Sequence, residues 1–208
     1  FKQLPPVEGS FAYTSELWDR VKKFELTQIF RQQDESFTDV LNKVRDGQTS
    51  DPIVQELYKD RSSDGNIPDE STLLTPYRKV AEGYNTDRLN DLNKVTYTSN
   101  AKIYQGYWKD NKIPQSVSYC EGAQVLMLTN RYTEPGSMDM LWCNGDVGFI
   151  SKVIDPARHA VEVTIPARQM CITLQPEVHQ LTNASGSVIS EFLQLPFQLG
   201  YAITIHKS

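Results

Sequence analysis

At Lys94 the hydrophobic period of the chain changes. Downstream, KVTYTS (94–99), AQVLMLTN (123–130), VGFISKVI (147–154), HAVEVTI (159–165) and RQMCITLQ (168–175) are short β-rich runs separated by turn formers such as EPGS, NGD and DPAR. Upstream, apolar residues recur at helical spacing. The two patterns cannot share a segment, because side chains alternate faces every second residue in a strand and every 3.6 residues in a helix. Short strands at close spacing without helices predict a small antiparallel barrel after residue 94.

The upstream part reads as α/β. SELWDRVKKF (15–24) has a Ser N-cap and places Leu17, Trp18, Val21 and Phe24 at helical spacing, and LTQIF (26–30) reads as a strand. DESFTDVLNKVRDG (34–47) puts Phe37, Val40, Leu41 and Val44 on one helical face and stops at Gly47, a suitable C-cap. Ser50, Asp51 and Pro52 then restart a helix carrying Ile53, Val54 and Leu57. A polar loop, DRSSDGNIPDE (60–70), leads to a short strand, STLLT (71–75). Thr75 and Pro76 form a cap and first-turn pair for a helix running to about Leu92, with Val80, Tyr84 and Leu89 among its apolar positions. Strand, turn and helix make half of a βαβ unit. The last strand, Phe197 to Ile205, is longer and more apolar, as a strand returning to a sheet covered on both faces would be. The simplest organisation is an α/β domain interrupted by a β-rich insert, without internal repeats.

With 208 residues, 39% hydrophobic and 23% charged, the chain has room for one large domain or two small ones. It opens on Phe1 rather than Met, carries no charged-then-apolar leader and stops straight after a strand, so the expectation is a soluble, excised piece. No apolar run approaches the length needed to cross a bilayer. Cys120, Cys143 and Cys171 are odd in number and lack C-x-x-C spacing, which supports neither a disulfide framework nor a zinc site and predicts buried free thiols in a reducing cytoplasm. His159, His179 and His206 show no ligand spacing either, and the first two are expected in turns or on exposed strand faces; no metal is inferred. A formal net charge of −5 argues against a histone-like or repressor-like binder, which needs many Lys and Arg to displace counterions, but leaves room for a narrow track with few contacts.

Four stretches carry candidate chemistry, each with a plainer alternative. In FKQLPPV (1–7), Gln3 precedes a Pro-stiffened turn, and its amide can meet a phosphate oxygen and a water together, or the stretch is simply a loop. In LTQIFRQ (26–32), Arg31 sits at the C-terminal edge of a strand, where α/β sheets bind ligands and where a guanidinium suits phosphate; the alternative is a surface ion pair. In LLTPYRKVAEGYN (73–85), Thr75 stands at a helix N-terminus near which an anion can bind, or it only caps the helix. TIHKS (204–208) offers two hydroxyls, an imidazole and an ammonium suited to phosphodiester oxygens. Neither a G-x-S-x-G elbow nor a GxxxxGK[ST] phosphate loop is present, so the stretch read here has no means of holding a nucleoside triphosphate by itself in the usual way.

The order of these stretches resembles the Pif-one and RecD-like DNA helicases of superfamily one, which move 5′ to 3′ on single-stranded DNA. FKQLPPV is similar to the end of that family's motif III, and FELTQIFRQQDESFTDVLNKVRDG to its motif IV region. LLTPYRKVAEGYN matches the family's Pro-to-Asn segment, with Asn85 in the expected place. CEGAQVLMLTN and WCNGDVGFI resemble the β-barrel insert, and LPFQLGYAITIHKS resembles motif V, cut before its usual Gln-Gly. The resemblance spans nearly the whole chain. The phosphate loop, the Mg-binding acidic pair, most of motif III, the rest of motif V and motif VI are missing from it.

The resemblance implies the second RecA-like helicase domain over residues 1–98 and 196–208, with an inserted small antiparallel β-barrel over 99–195. It implies that Gln3 senses the γ-phosphate and that Arg31 acts as an arginine finger, a role worth roughly 10³ to 10⁵ in rate. Thr204, His206 and Lys207 would hold the DNA backbone, with Thr75 and Asn85 as further DNA-binding candidates, the matched segment not fixing which side chain reaches the ligand. ATP and Mg would be used by the complete protein, with the first RecA-like domain and single-stranded DNA as partners in a bacterial cytoplasm. The chain alone, without the phosphate loop, is expected to be inactive. Two alternatives stay open: a non-catalytic interaction module docking a protein or nucleic acid, and the RecD-like motor of an exonuclease complex with nuclease subunits.

Overall fold

The computed structural model describes residues 12–24, 34–61, 71–106, 113–134, 136, 137 and 139–205. It separates into two compact units, residues 1–67 and 68–208.

Two helices dominate the first unit. Helix α1 (Glu35–Arg45) starts where the Asp34 carboxylate accepts the Phe37 N–H at 3.1 Å, a side-chain cap on a donor that the helix cannot satisfy. It ends in a Schellman arrangement: Gly47 N–H donates to Val44 O and Gln48 N–H to Lys43 O, with Gly47 at φ +78°, where a Cβ would be strained. Helix α2 (Pro52–Arg61) follows after a short turn, its first free N–H, that of Ile53, donated to Asp51 Oδ1 at 3.0 Å. Lys43 Nζ reaches Asp51 Oδ2 at 2.8 Å and ties the end of one helix to the start of the next, holding the Asp51 carboxyl below its ordinary range. Val40 and Val54 are the buried apolar residues of the pair.

Residues 15–24 depart from their helical pattern. They form a 3₁₀ turn at Trp18–Arg20, after which Val21 is extended. Ser15 Oγ accepts the Leu17 N–H two residues on, closing a local turn in place of a helix cap. Leu17, Val21 and Phe24 are exposed, so no buried face repays helix nucleation.

In the second unit, strand β1 (Leu73–Thr75) leads into helix α3 (Arg78–Asp91). The helix begins later than the sequence predicts. Thr75 belongs to the strand and its carbonyl accepts the Ile205 N–H, so it cannot also adopt the cap geometry; its hydroxyl accepts the Tyr77 N–H at 3.3 Å, and Tyr77 is the residue before the helix.

After α3 come β2 (Tyr97–Asn100), β3 (Lys102–Gln105), β4 (Ser116–Tyr119), β5 (Gln124–Met127), β6 (Arg131–Tyr132), β7 (Met140–Trp142), β8 (Val147–Asp155), β9 (Ala160–Ile165), β10 (Met170–Leu174), β11 (Glu177–Thr182), β12 (Val188–Gln194), β13 (Phe197–Leu199) and β14 (Ala202–Thr204). Strands β2, β5, β8, β9 and β10 fall on the five β-rich runs; β3, β4, β6, β7, β11 and β12 were not legible there. The order β10-β9-β8-β5-β13 makes one antiparallel sheet and β11-β12-β3 another, with β2 paired to β4 and β6 to β7. These pairings form separate sheets and do not close into one barrel among the described residues.

The predicted last strand is two strands in different sheets. Residues 197–199 pair antiparallel with β5, and residues 202–204 pair parallel with β1, in the register Leu73↔Ala202 and Thr75↔Thr204. Gly200 sits at the break, where a Cβ would lie 2.9 Å from the Val125 carbonyl carbon and 3.1 Å from the Leu126 nitrogen. Since β1 precedes α3 and β14 comes after every other strand, residues 76–201 are one long excursion between two neighbouring parallel strands.

The main core lies beneath the five-stranded sheet, where Tyr119, Met127, Ile150, Val161, Val163, Ile165, Leu195 and Phe197 are fully buried. Buried Gln194 ties the strands together. Its Oε1 accepts from Ser99 Oγ (2.7 Å) and Leu195 N–H (2.9 Å), and its Nε2 lies within bonding distance of the carbonyls of Ser99, Pro114 and Gln115. Of the three thiols only Cys120 is buried; Cys143 is half-buried and Cys171 is exposed on β10, because strand alternation turns it away from the core. His159 lies in the β8–β9 turn, at φ +53°, with Nδ1 3.0 Å from Tyr119 Oη. His179 is half-buried on β11 rather than exposed, with Nε2 3.0 Å from Gln194 O. No helix among the described residues is long and apolar enough to cross a membrane.

Candidate nucleic-acid interface

Strands β1 and β14 end side by side, and α3 begins just beyond them. In α/β sheets, ligands bind outside the carboxyl ends of parallel strands, where loops diverge and helix starts present free N–H groups. A cleft of about 430 Å³ opens here, lined among others by Arg78, Asn85, Thr86, Ser116, Ser118 and Thr204. Thr204 reaches it from the last position of β14. Ser116 and Ser118 come from β4, where period-two alternation buries Val117 and Tyr119 and turns the serines to the other side. Ser118 Oγ is 3.0 Å from Thr98 Oγ1, which extends the hydroxyl surface onto β2. Arg78 is the cation of this lining; its Nε lies 2.7 Å from Glu82 Oε1 in an exposed pair that binds weakly and is readily exchanged.

Chemically the cleft offers hydroxyls, amides and the Arg78–Glu82 ion pair on an apolar floor that includes Val117 and Ile203. Such a wall can hydrogen-bond the backbone of a polar chain. Among the described residues no group of three or more His, Cys, Asp or Glu gathers to hold a metal ion.

The sequence-predicted residues are distributed unevenly. Thr204 and Asn85 both line the cleft. Thr75 lies at the end of β1 with 6% of its surface exposed, its backbone in the parallel ladder. Asn85 spends its amide on the protein: Nδ2–H donates to Ala202 O and Oδ1 accepts the Ala202 N–H, both at 2.8 Å. Gln3, Arg31, His206 and Lys207 lie outside the described residues. Sequence reasoning passed over Arg78, Thr86, Ser116 and Ser118; the alternation in SVSY (116–119) is the signal that would have found the two serines.

A second cleft, of about 370 Å³, lies behind the strand junction and is lined by Arg88, Asp91, Gln124, Phe149 and Tyr201 among others. Gln124 Nε2 donates to Thr72 Oγ1 and Gly200 O, both at 3.1 Å, and Thr72 Oγ1 donates to Gly200 O at 2.8 Å. Gln124 Oε1 and Tyr201 Oη are buried without a hydrogen-bond partner among the described residues, and burial raises the Tyr201 phenol above its ordinary range.

A parallel β–α–β unit with a polar cleft at its strand ends, interrupted by antiparallel sheets, belongs to the mixed α/β architecture of RecA-like helicase domains. The comparisons with known proteins narrow this. No protein-family model matches the sequence. The ATP-dependent DNA helicase Pif1 of Bdellovibrio bacteriovorus is 26% identical over 222 residues, covering all of this chain and 48% of the relative. Human ATP-dependent DNA helicase PIF1 is 30% identical over 226 residues, again over the whole chain and 33% of the relative. A crystal structure of a Bacteroides Pif1 helicase double mutant superposes with a TM-score of 0.75 at 26% identity, over 99% of this chain and 51% of that one. A Bacteroides Pif1 structure in complex with ADP-AlF3 and ssDNA, at 23% identity, shares the fold with a TM-score of 0.58 over 96% of this chain and 47% of that one. In sequence and in fold the chain is similar to the Pif1-like DNA helicases. It spans half or less of the length of these relatives.

Proposed function

We propose that the chain is the second RecA-like domain, interrupted by an insert of antiparallel sheets, of an ATP-dependent DNA helicase that moves 5′ to 3′ on single-stranded DNA and unwinds duplex. The observation that carries the reading is the polar cleft at the ends of β1 and β14, with Thr204 at its mouth. The parallel pairing of strands on either side of residues 76–201 supports an insert within one sheet. Relatives named as ATP-dependent DNA helicases, and a neighbour captured with ADP-AlF3 and ssDNA, support the substrate classes.

In this reading, ATP with its Mg sits between this domain and the first RecA-like domain of the complete protein. Gln3 meets the γ-phosphate and Arg31 neutralises charge that develops on the transferring phosphoryl group. Closing the interdomain cleft then requires the γ-phosphate, since only that state satisfies both side chains. The DNA grip is Thr204 with His206 and Lys207, supplemented by Thr75 and the serines of β4. Contacts confined to the sugar–phosphate backbone carry no sequence code, as a motor that tracks any strand needs.

Arg31→Ala in the full-length protein tests the catalytic half. Steady-state ATP hydrolysis with saturating single-stranded DNA should fall by at least roughly 10³-fold with the melting temperature unchanged. Turnover at the unsubstituted rate would refute the finger and return the chain to the reading of a non-catalytic interaction module.

A further inference from the structure

The strand that ends at Thr204 is held along both edges, and along one of them the holding group is a single side chain. Leu73 N–H donates to Tyr201 O at 2.8 Å and Ile205 N–H to Thr75 O at 3.1 Å, so residues 201 and 205 turn their polar groups toward β1. Backbone groups along a strand point to alternate edges. Ala202 and Thr204 therefore face the opposite edge, which no third strand covers among the described residues. At Ala202 both groups are taken by Asn85, two turns into α3, whose carboxamide reproduces the donor and acceptor of a neighbouring strand. Asparagine is a poor choice for a helix interior by propensity. Here its value is the short side chain carrying a donor and an acceptor, which Asp lacks in one half and Gln places a methylene further out. Thr204 is the next residue on that edge, at the cleft.

We infer that Asn85 is a positioning residue: it sets the edge of β14 and thereby the direction from which Thr204 enters the cleft, without touching the bound strand itself. The inference rests on the cleft being a single-stranded DNA groove. It assigns Asn85 a role different from the direct DNA contact that the family resemblance suggests.

The test is a double-mutant cycle in the full-length helicase, reading the Kd for a fluorescein-labelled oligo-dT by anisotropy and the melting temperature of each variant. Asn85→Ala and Thr204→Val should each weaken binding by about tenfold. The double variant should be no more than about threefold weaker than the worse single one, because both act through the same hydroxyl. Asn85→Asp keeps the acceptor half but sets a carboxylate oxygen against the Ala202 carbonyl, so it should weaken binding at least as much as Asn85→Ala. Hydrogen exchange at the Ala202 amide should accelerate in Asn85→Ala while amides of the β5–β8–β9 core stay protected. Losses that multiply in the double variant would make Asn85 an independent contact and overturn the inference, as would unaltered binding by Asn85→Ala. Loss of cooperative melting in both Asn85 variants would also overturn it, making the residue a folding determinant. Unaltered binding by Thr204→Val removes the groove reading itself, a failure distinguishable from the others because it does not involve Asn85.

Discussion

Asn85 and Ala202 exchange two hydrogen bonds of 2.8 Å across 117 positions of sequence, joining the middle of α3 to the final strand. The pair converts a helix face into the missing neighbour of an edge strand. It leaves the Ala202 amide and carbonyl satisfied where an unpaired buried group would destabilise the domain by about 1–3 kcal/mol. The strand that carries Thr204 is thus a built part of the unit.

Gly200 tolerates no side chain. Its backbone approaches β5 so closely that a Cβ would lie 2.9 to 3.1 Å from three backbone atoms of Val125 and Leu126, none of which can rotate away. Gly200→Ala should lower unfolding stability by about 1–3 kcal/mol, the range for overpacking a filled interior. A chemical-denaturation midpoint equal to that of the unsubstituted protein would show that β5 and β13 can separate freely.

Gln194 is the polar centre of the β-rich part. Gln194→Leu keeps the volume but removes the acceptor of Ser99 Oγ and of the Leu195 N–H and the side-chain donor to the Ser99 carbonyl. With about 1–3 kcal/mol for each stranded buried group, partly relieved by water at the margins, the variant should lose more than about 2 kcal/mol in urea unfolding. Gln194→Glu at neutral pH should be at least as damaging, since a carboxylate would face carbonyl oxygens.

Acid should loosen the β11–β12 pair through His179. Burial holds this imidazole below its ordinary range, against the smaller opposing influences of the Gln194 carbonyl and Glu177. With the folded pKa depressed, the unfolded chain takes up the proton first, so the contribution to stability is fully present above about 6.5 and declines as pH falls through the folded value. Melting temperatures taken from pH 7.5 down to 5 should drop more steeply for the unsubstituted protein than for His179→Gln. Parallel slopes for the two proteins would refute the assignment.

The thiols should separate by accessibility. Cys171 is exposed, Cys143 is half-buried beside the Arg168 guanidinium, whose Nη2 lies 2.8 Å from its sulfur, and Cys120 is buried with its pKa raised by desolvation. Native labelling with a disulfide reagent, followed by peptide mass spectrometry, should modify Cys171 first and spare Cys120 until denaturant is added. Early modification of Cys120 would mean that the core beneath the five-stranded sheet opens far below global unfolding.

Several local elements were open to direct reading. Helix α1 announces itself by Asp34, the spacing of Phe37, Val40, Leu41 and Val44, and the stop at Gly47. Strands β5, β8, β9 and β10 follow from β-branched runs bounded by turns. Where pattern and structure part, the cause is tertiary: residues 15–24 have helical spacing with no surface to bury it against among the described residues, and Thr75 is drawn out of a helix cap by its ladder bond to Ile205. The candidate site was half visible. Thr204 and Asn85 were found through motif order, whereas Ser116 and Ser118 were missed because two small polar residues on a strand carry no chemical signature until a fold sets them beside a helix.

Sequence alone determined helix α1, the strands that fall on β-branched runs bounded by turns, and the likeness to Pif1-type helicases, because capping, side-chain period and motif order are properties of neighbouring residues. Tertiary structure decided which edges meet: that 197–205 divides at Gly200 between two sheets, that Asn85 serves as a strand neighbour to Ala202, and that Gln194 joins Ser99 across 95 positions. The physical reason is that a hydrogen bond's partner is chosen by proximity after the chain has closed, and closure over a hundred residues leaves almost no trace in local pattern.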